Sequence, residues 1–199
     1  MSVADSVSIS PFAPARALDA SRMLSRAFVT NPLHVAAFGA SRLDRNRAFF
    51  LAGLAVMRGP TFVATDGDDI VGLVHWVPSP HCQLSATGKL QLVPSMIGGF
   101  GIRSTIKVSS WLSAWAAHDP KEPHVHLGPI GVDPKVQGHG IGRRLMEHFC
   151  EAVDRSSAVG YLETDRPANV AFYRQFGFAT TEEITVLGVP NFLMRRAAR

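Results

Sequence analysis

The run Gln137-Gly138-His139-Gly140-Ile141-Gly142-Arg143 sets three glycines at alternate positions just before an amphipathic stretch carrying Leu145, Met146, Phe149 and Val153. Glycine adopts positive φ without strain and lets a ligand come close to the main chain. The first N–H groups of a helix have no partner within it, and the helix dipole leaves partial positive charge there. A glycine turn that feeds a helix is therefore suited to hold phosphate. Arg143 and Arg144, in the first turn, are placed to add positive charge toward the outer phosphate or, equally, to be solvated surface arginines. A Walker A loop needs Lys-Ser/Thr after its last glycine, and none follows here. A G-x-G-x-x-G fingerprint places Arg143 where the last glycine belongs. Glu163 stands about twenty residues on, as a ribose-binding acid would, but the remaining chain is too short for the further strands and helices of such a fold. The pattern [QR]-x-x-G-x-[GA] is matched completely by Gln137, Gly140 and Gly142.

Other residues with chemical potential lie on either side. His124 and His126 alternate along "HVHLGPIGV", so they share one face of a strand. They invite a metal, but the sequence offers no third ligand, and none is expected to bind. Cys82 and Cys150 lie far apart and outside any CxxC spacing, which predicts reduced packing thiols in a cytoplasmic protein. Asn169 and Tyr173 are four apart and share a helix face.

These residues must be positioned by a recognisable order of elements. "SVSISPF" alternates like a strand. Asp19 opens a helix through Met23, Leu24, Ala27 and Phe28, which "TNP" ends. Ser41 is placed to cap a second helix through Phe49, Phe50, Gly53, Leu54 and Met57. Two strand-like runs flank Asp66-Gly67-Asp68, a hairpin signal. From His81 to Pro123 the periodicity blurs. One or two irregular helices are expected there, anchored by Trp111, Leu112 and Trp115, with Gly98, Gly99 and Gly101 lending mobility to an apolar lid. "HVHLGPIGV" reads as a strand, the glycine run leads into a helix, and "GYLETD" is a short strand. Pro167 opens a compact helix ending at Gly177, and two final strands meet around Gly188 and Pro190. This pattern predicts an α/β (α+β) fold: a mixed, mostly antiparallel sheet of six to seven strands with helices on both faces. One domain over residues 1–199 is expected.

The glycine motif, the apolar strand before it and the helix after it resemble the GNAT superfamily of N-acetyltransferases. "LETDRPANVAFYRQFGF" is similar to that family's second signature, and the two signatures cover Val125 to Phe178. Their wording is similar to puromycin N-acetyltransferase-like members. The resemblance implies that Ile130 and Val132 bind the pantetheine arm of acetyl-CoA through their main chain, with Gly131 leaving room for the acetyl group. It assigns the pyrophosphate to Gln137, Gly138, His139, Gly140, Ile141, Gly142 and Arg143, with His139 as exposed scaffold. Asn169 would contact pantetheine and Tyr173 would lie near the cofactor sulfur. There a hydroxyl donor would help coenzyme A leave as a thiolate, whose free pKa is about 8.5. An ammonium acceptor must first lose a proton. His126 and Glu163 are the candidate bases, Glu163 being equally placed to bind a cationic substrate or pair with Arg166.

With 46% hydrophobic and 18% charged residues, composition is that of a folded soluble domain. No apolar run reaches the ~18–20 residues of a membrane span, and the N-terminus carries no signal-peptide pattern. Net charge is +4, with basic residues scattered apart from Arg195, Arg196 and Arg199, so no nucleic-acid surface is expected. The expected activity is acetyl transfer from acetyl-CoA to a primary amine of a small molecule in a ternary complex. Two alternatives remain: a longer acyl donor, and a non-catalytic coenzyme A-binding module. The terminal strands leave a homodimer possible.

Overall fold

A computed structural model describes residues 6–83 and 86–198. Residues 1–5 and 199, read above for leader character and basic charge, lie outside them. The elements are β1 (Ser8–Pro11), α1 (Ala17–Phe28), α2 (Pro32–Phe38), α3 (Leu43–Val56), β2 (Thr61–Asp66), β3 (Asp69–Pro78), α4 (Ala86–Phe100), α5 (Ile102–Ala116), β4 (His124–Val132), α6 (Ile141–Ser156), β5 (Val159–Thr164), α7 (Pro167–Arg174), β6 (Ala179–Val186) and β7 (Val189–Arg196). Seven strands form one sheet in the order β1-β2-β3-β4-β5-β7-β6, and β4–β5 is its parallel pair. The expected mixed, mostly antiparallel sheet with helices on both faces is what the chain builds.

Strand alternation divides the core. Ala64 and Val74 face one side, where α6 buries Ile141, Leu145, Met146, Phe149 and Val153 against the sheet and α7 adds Val170 and Tyr173. Val63 and Leu73 face the other, under Met23 and Leu24 of α1 and Phe50 of α3. A further aromatic cluster, with Phe38, Phe100 and Trp111, joins α2, α4 and α5 to the β6–β7 hairpin. That hairpin turns tightly through Leu187 and Gly188, both at positive φ, so Pro190 lies inside β7.

Several details differ from the sequence reading. Pro32 opens a separate helix, α2, because a proline at the first helical position has no N–H to lose. Ser41 does not cap α3: it takes φ 58°, and Arg42 stands at the cap without a side-chain bond. The blurred segment forms two regular helices, in which Trp111 is buried but Leu112 is 42% exposed. Of its glycines, Gly99 serves a close helix contact. Gly98 and Gly99 lie within α4, and a Cβ on Gly99 would stand 2.8 Å from Cβ of Ala48 on α3. Gly101, at φ 81°, is the N-cap of α5.

Candidate active site

The central feature is a fork between β4 and β5. Parallel pairing runs only over His124–His126 with Val159–Tyr161. Beyond it, β4 keeps its partner β3 but loses β5. The cause is local. Between the pairs Val74↔Ile130 and Trp76↔Leu127, β4 carries one residue more than β3. Gly128 and Pro129 form this bulge opposite His75. Proline cannot donate to a ladder and bulges bend a strand. A Cβ on Gly128 would meet Cδ2 of His75 at 2.6 Å.

The fork exposes main-chain groups whose direction follows from one bond. The Asp133 N–H donates to Val71 O of β3 at 2.8 Å. In a trans peptide the preceding carbonyl points the opposite way, so Val132 C=O faces the open side, and the side-chain amide of Gln137 donates to it at 3.0 Å. By strand alternation, Val132 N–H and the N–H and C=O of Ile130 face the same opening, while Gly131 faces β3. Gly131 also meets a packing demand: a Cβ there would stand 2.9 Å from Cε2 of Phe28 and 3.1 Å from Cδ2 of Leu24. It lets α1 lie close on β4.

The open edge leads into the glycine turn. Gly138 and Gly140 hold φ 83° and 82°, and a Cβ on either would meet nothing within 4 Å. Gly140 is the N-cap of α6, with no side-chain cap bond, so the helix presents free amides around Ile141 and Gly142. The ring Nδ1 of the exposed His139 bonds carbonyls within the turn. Arg143 flanks the turn, donating to Oε1 of Gln175 at 2.9 Å with its guanidinium over the Phe176 ring. Arg144 points away and donates to Val7 O at 2.8 Å, so it does not supply charge to this turn. Asp133 accepts from Arg26 of α1 and from Lys135 N, which ties the turn to the opposite helical layer.

A cleft of about 1280 Å³ runs from this turn along the fork and under α3, α4 and α5. At the fork, His126 Nε2 lies 2.8 Å from Glu163 Oε2. Burial opposes charge on the His126 ring, but the Glu163 carboxylate, together with Cys82 and Asp119, outweighs it and raises the pKa to about 10. Glu163 Oε1 is buried and has no hydrogen-bond partner among the described residues. Across the fork, Asn169 Nδ2 donates to Thr164 Oγ1 at 3.2 Å. Tyr173 is buried beside it, and burial first, then the charge of Asp165, raises its phenol pKa. The sequence-chosen residues Ile130, Val132, Gly138, Gly140, Glu163, His126, Asn169 and Tyr173 thus line one cleft.

Some participants had no signal in the sequence. Asp165 accepts from Leu33 N at 2.8 Å, and so anchors the start of α2 to the end of β5. His75 and His34 both line the cleft, and burial lowers each to a pKa of about 4. His34 sits within an aromatic box, stacked on Phe50 and edge-on to Phe49 and Trp111. Cys82, taken above for a packing thiol, is partly exposed and lies 3.3 Å from His124 Nε2. Only contacts across tens of residues reveal these groups. The Gly128-Pro129 pair within an apolar strand was the one legible sign of the bulge.

Among the described residues no helix is long and apolar enough to cross a membrane. The sequence matches the Acetyltransferase (GNAT) family over residues 28–178. It is 33% identical over 132 residues to the N-alpha-acetyltransferase RimI of Mycobacterium tuberculosis, covering 63% of this chain and 78% of that protein. The fold is shared with a Corynebacterium glutamicum structure described as histone acetyltransferase HPA2 and related acetyltransferase, at TM-score 0.75 and 21% identity over 98% of this chain and 97% of that one. It is shared also with arylalkylamine N-acetyltransferase 2 of Aedes aegypti, at TM-score 0.66 and 14% identity over 97% and 99% of the two chains. The split sheet, the glycine turn at a helix start and these likenesses converge: the chain belongs to the GNAT family and is an acyl-CoA-dependent N-acetyltransferase.

Proposed function

We propose that the protein moves the acetyl group of acetyl-CoA to the primary amine of a small molecule bearing an apolar or aromatic group. The observation that carries the donor half is the open β4 edge running into the free amides of α6. Pantetheine is an amide chain, and Ile130 and Val132 offer it donor and acceptor groups in strand spacing. Gly138 and Gly140 leave open space where a pyrophosphate would meet those amides. Arg143 lies at the rim for the outer phosphate. Asn169 keeps its side-chain oxygen for the pantetheine arm while its amide is held by Thr164.

The acceptor half rests on the far end of the cleft. Phe28, Phe49, Phe50, Met57, Met96 and Trp111 line it, and an apolar wall with few polar groups selects an apolar body. Glu163 is the acid at the fork. Its unpartnered Oε1 holds the acceptor ammonium and takes its proton as nitrogen attacks the thioester, while His126 holds the other oxygen. Attack forms the C–N bond and a tetrahedral oxyanion. Collapse breaks the C–S bond and coenzyme A leaves as a thiolate, which takes up the second proton that the nitrogen sheds. Tyr173 donates a hydrogen bond to that sulfur. It keeps its proton, because transfer from a phenol raised above its ordinary pKa of about 10 to a thiolate of about 8.5 is uphill.

A peptide α-amine is a second reading, supported by the 33% identity to RimI. Calorimetry with acetyl-CoA, followed by thiol release against arylalkylamines, polyamines, aminonucleosides and peptide N-termini, separates the cases. Turnover on apolar amines supports the first reading and turnover on peptides alone the second. Binding without turnover on any amine favours a non-catalytic coenzyme A-binding module. Absence of acetyl-CoA binding overturns the assignment of the fork.

A further inference from the structure

We propose that Cys82, His124 and His126 form a binding site for a borderline-soft divalent cation of the Zn²⁺ class, where the cleft ends at the closed part of the fork. The thiol and one ring nitrogen from each histidine lie within 4.8 Å of one another. Cys82 Sγ is 3.3 Å from His124 Nε2. A thiolate and an imidazole on one tetrahedral zinc, with bonds of about 2.3 and 2.0 Å, are separated by roughly 3.5 Å.

The rings are already turned for this use. His124 Nδ1 bonds the Glu122 carbonyl at 2.9 Å, so it carries the hydrogen and Nε2 presents its lone pair toward Cys82. His126 Nε2 is held by Glu163 at 2.8 Å, which leaves Nδ1 for the cation. A carboxylate or carbonyl on the distal nitrogen is the usual way a protein fixes a metal-binding imidazole. The strongest observation is an unmet need. His126 Nδ1 is buried without a hydrogen-bond partner among the described residues, and so is Asp119 Oδ1, 3.6 Å from it. Two buried polar atoms facing each other unbonded call for a third body between or beside them. A cation on Nδ1 satisfies the nitrogen, and the Asp119 carboxylate supplies countercharge. One thiolate and two imidazoles make a donor set that suits zinc better than magnesium or calcium. Glu163 keeps its bond to Nε2, so metal binding and the proposed acetyl transfer do not exclude each other. The Cys82 thiol and the charged His126 ring each release a proton on binding.

The test uses the full chain stripped with a chelator and titrated with Co²⁺, which reports its ligands by absorption. One equivalent should bind, with strong visible bands of tetrahedral cobalt and a near-ultraviolet thiolate-to-cobalt band, and Zn²⁺ should displace it. Cys82→Ser should abolish the near-ultraviolet band and weaken binding by more than the ~10–100-fold that loss of an outer-shell partner costs. Cys150→Ala removes the other thiol and should leave both bands intact. Far-ultraviolet dichroism checks that each variant is folded. Absence of cobalt binding, binding without the sulfur band, or a band that persists in folded Cys82→Ser overturns the proposal. In that event a bridging water is left to join His126 and Asp119.

Discussion

Gly140 allows a sharp test, because its backbone strain and its ligand role can be separated. An alanine there must take φ 82°, and its Cβ meets nothing within 4 Å. The folding cost is then conformational alone, about 1–2 kcal/mol for an L-residue in the left-handed region. For a chain of this size each kcal/mol lowers Tm by about 2–4 °C, so Gly140→Ala should melt roughly 2–8 °C lower and remain folded at 25 °C. The new methyl stands over the first amides of α6, where the pyrophosphate would approach. Acetyl-CoA should bind at least about tenfold more weakly, equivalent to about 1.4 kcal/mol. Gly67, in the β2–β3 turn, provides the control: it holds φ 57°, and a Cβ there also meets nothing within 4 Å. Gly67→Ala should lose similar stability and bind acetyl-CoA like the parent. Calorimetric titration and a thermal melt on the three proteins give the answer. Unchanged affinity in Gly140→Ala, or equal loss in Gly67→Ala, would refute the placement of the phosphates.

Tyr173→Phe should lower kcat by about tenfold or more with acetyl-CoA affinity within twofold, in steady-state thiol release and calorimetry; a parallel loss of both would assign Tyr173 to binding. Glu163→Gln removes the proton acceptor while keeping a hydrogen-bonding side chain, and should reduce kcat by about 10²–10⁴; activity near the parent level would mean that water alone carries the proton away. Gly131→Ala drives a methyl into Phe28 and Leu24, and overpacking should cost about 1–3 kcal/mol in urea unfolding. His34 and His75 give stability a pH dependence. Each titrates near 6.5 when unfolded and at about 4 when folded, so between these values the unfolded chain binds more protons. Their contribution is complete above about pH 6.5 and is lost as pH falls through 4. For the fully enclosed His34 it is about 3 kcal/mol, read as a falling urea midpoint over that window; a flat midpoint would contradict the neutral, buried ring.

The residues assigned to the donor could be picked out because their signals are local. Gln137 to Arg143 occupy consecutive positions, Asn169 and Tyr173 lie one helical turn apart, and the apolar stripe of α6 is strictly periodic. Periodicity also marked the seven strands along the chain, since alternation survives wherever one sheet face is buried. What failed were effects settled by neighbours distant in sequence. The packing role of Gly131 shows only when Phe28 is seen against it, and Gly99 looks flexible until Ala48 closes on it. Arg144 follows Arg143 directly, yet one helical step of about 100° sends it to Val7, just before β1, instead of the turn. His34, Asp165 and Cys82 carry no motif, and their roles arise only when α2 and the β3–α4 connection fold back over the sheet.

The bulge at Gly128 and Pro129 has a price in cohesion. A sheet normally reserves unpaired strand edges for its two flanks, where charge or bulges discourage strangers. Here an edge is opened in the interior, over the stretch from Leu127 to Val132, and the walls of the cleft screen it from other chains. Removing one of the two residues would restore one-to-one pairing with β3 while leaving Ile130 and Val132 on the face they already occupy. On the proposed reading the donor's amide arm is a non-peptide strand that the sheet awaits. The Ile130 and Val132 amides should then exchange hydrogen quickly in the free protein and slowly once coenzyme A is seated, so that part of the protein's secondary structure is supplied by its own reagent.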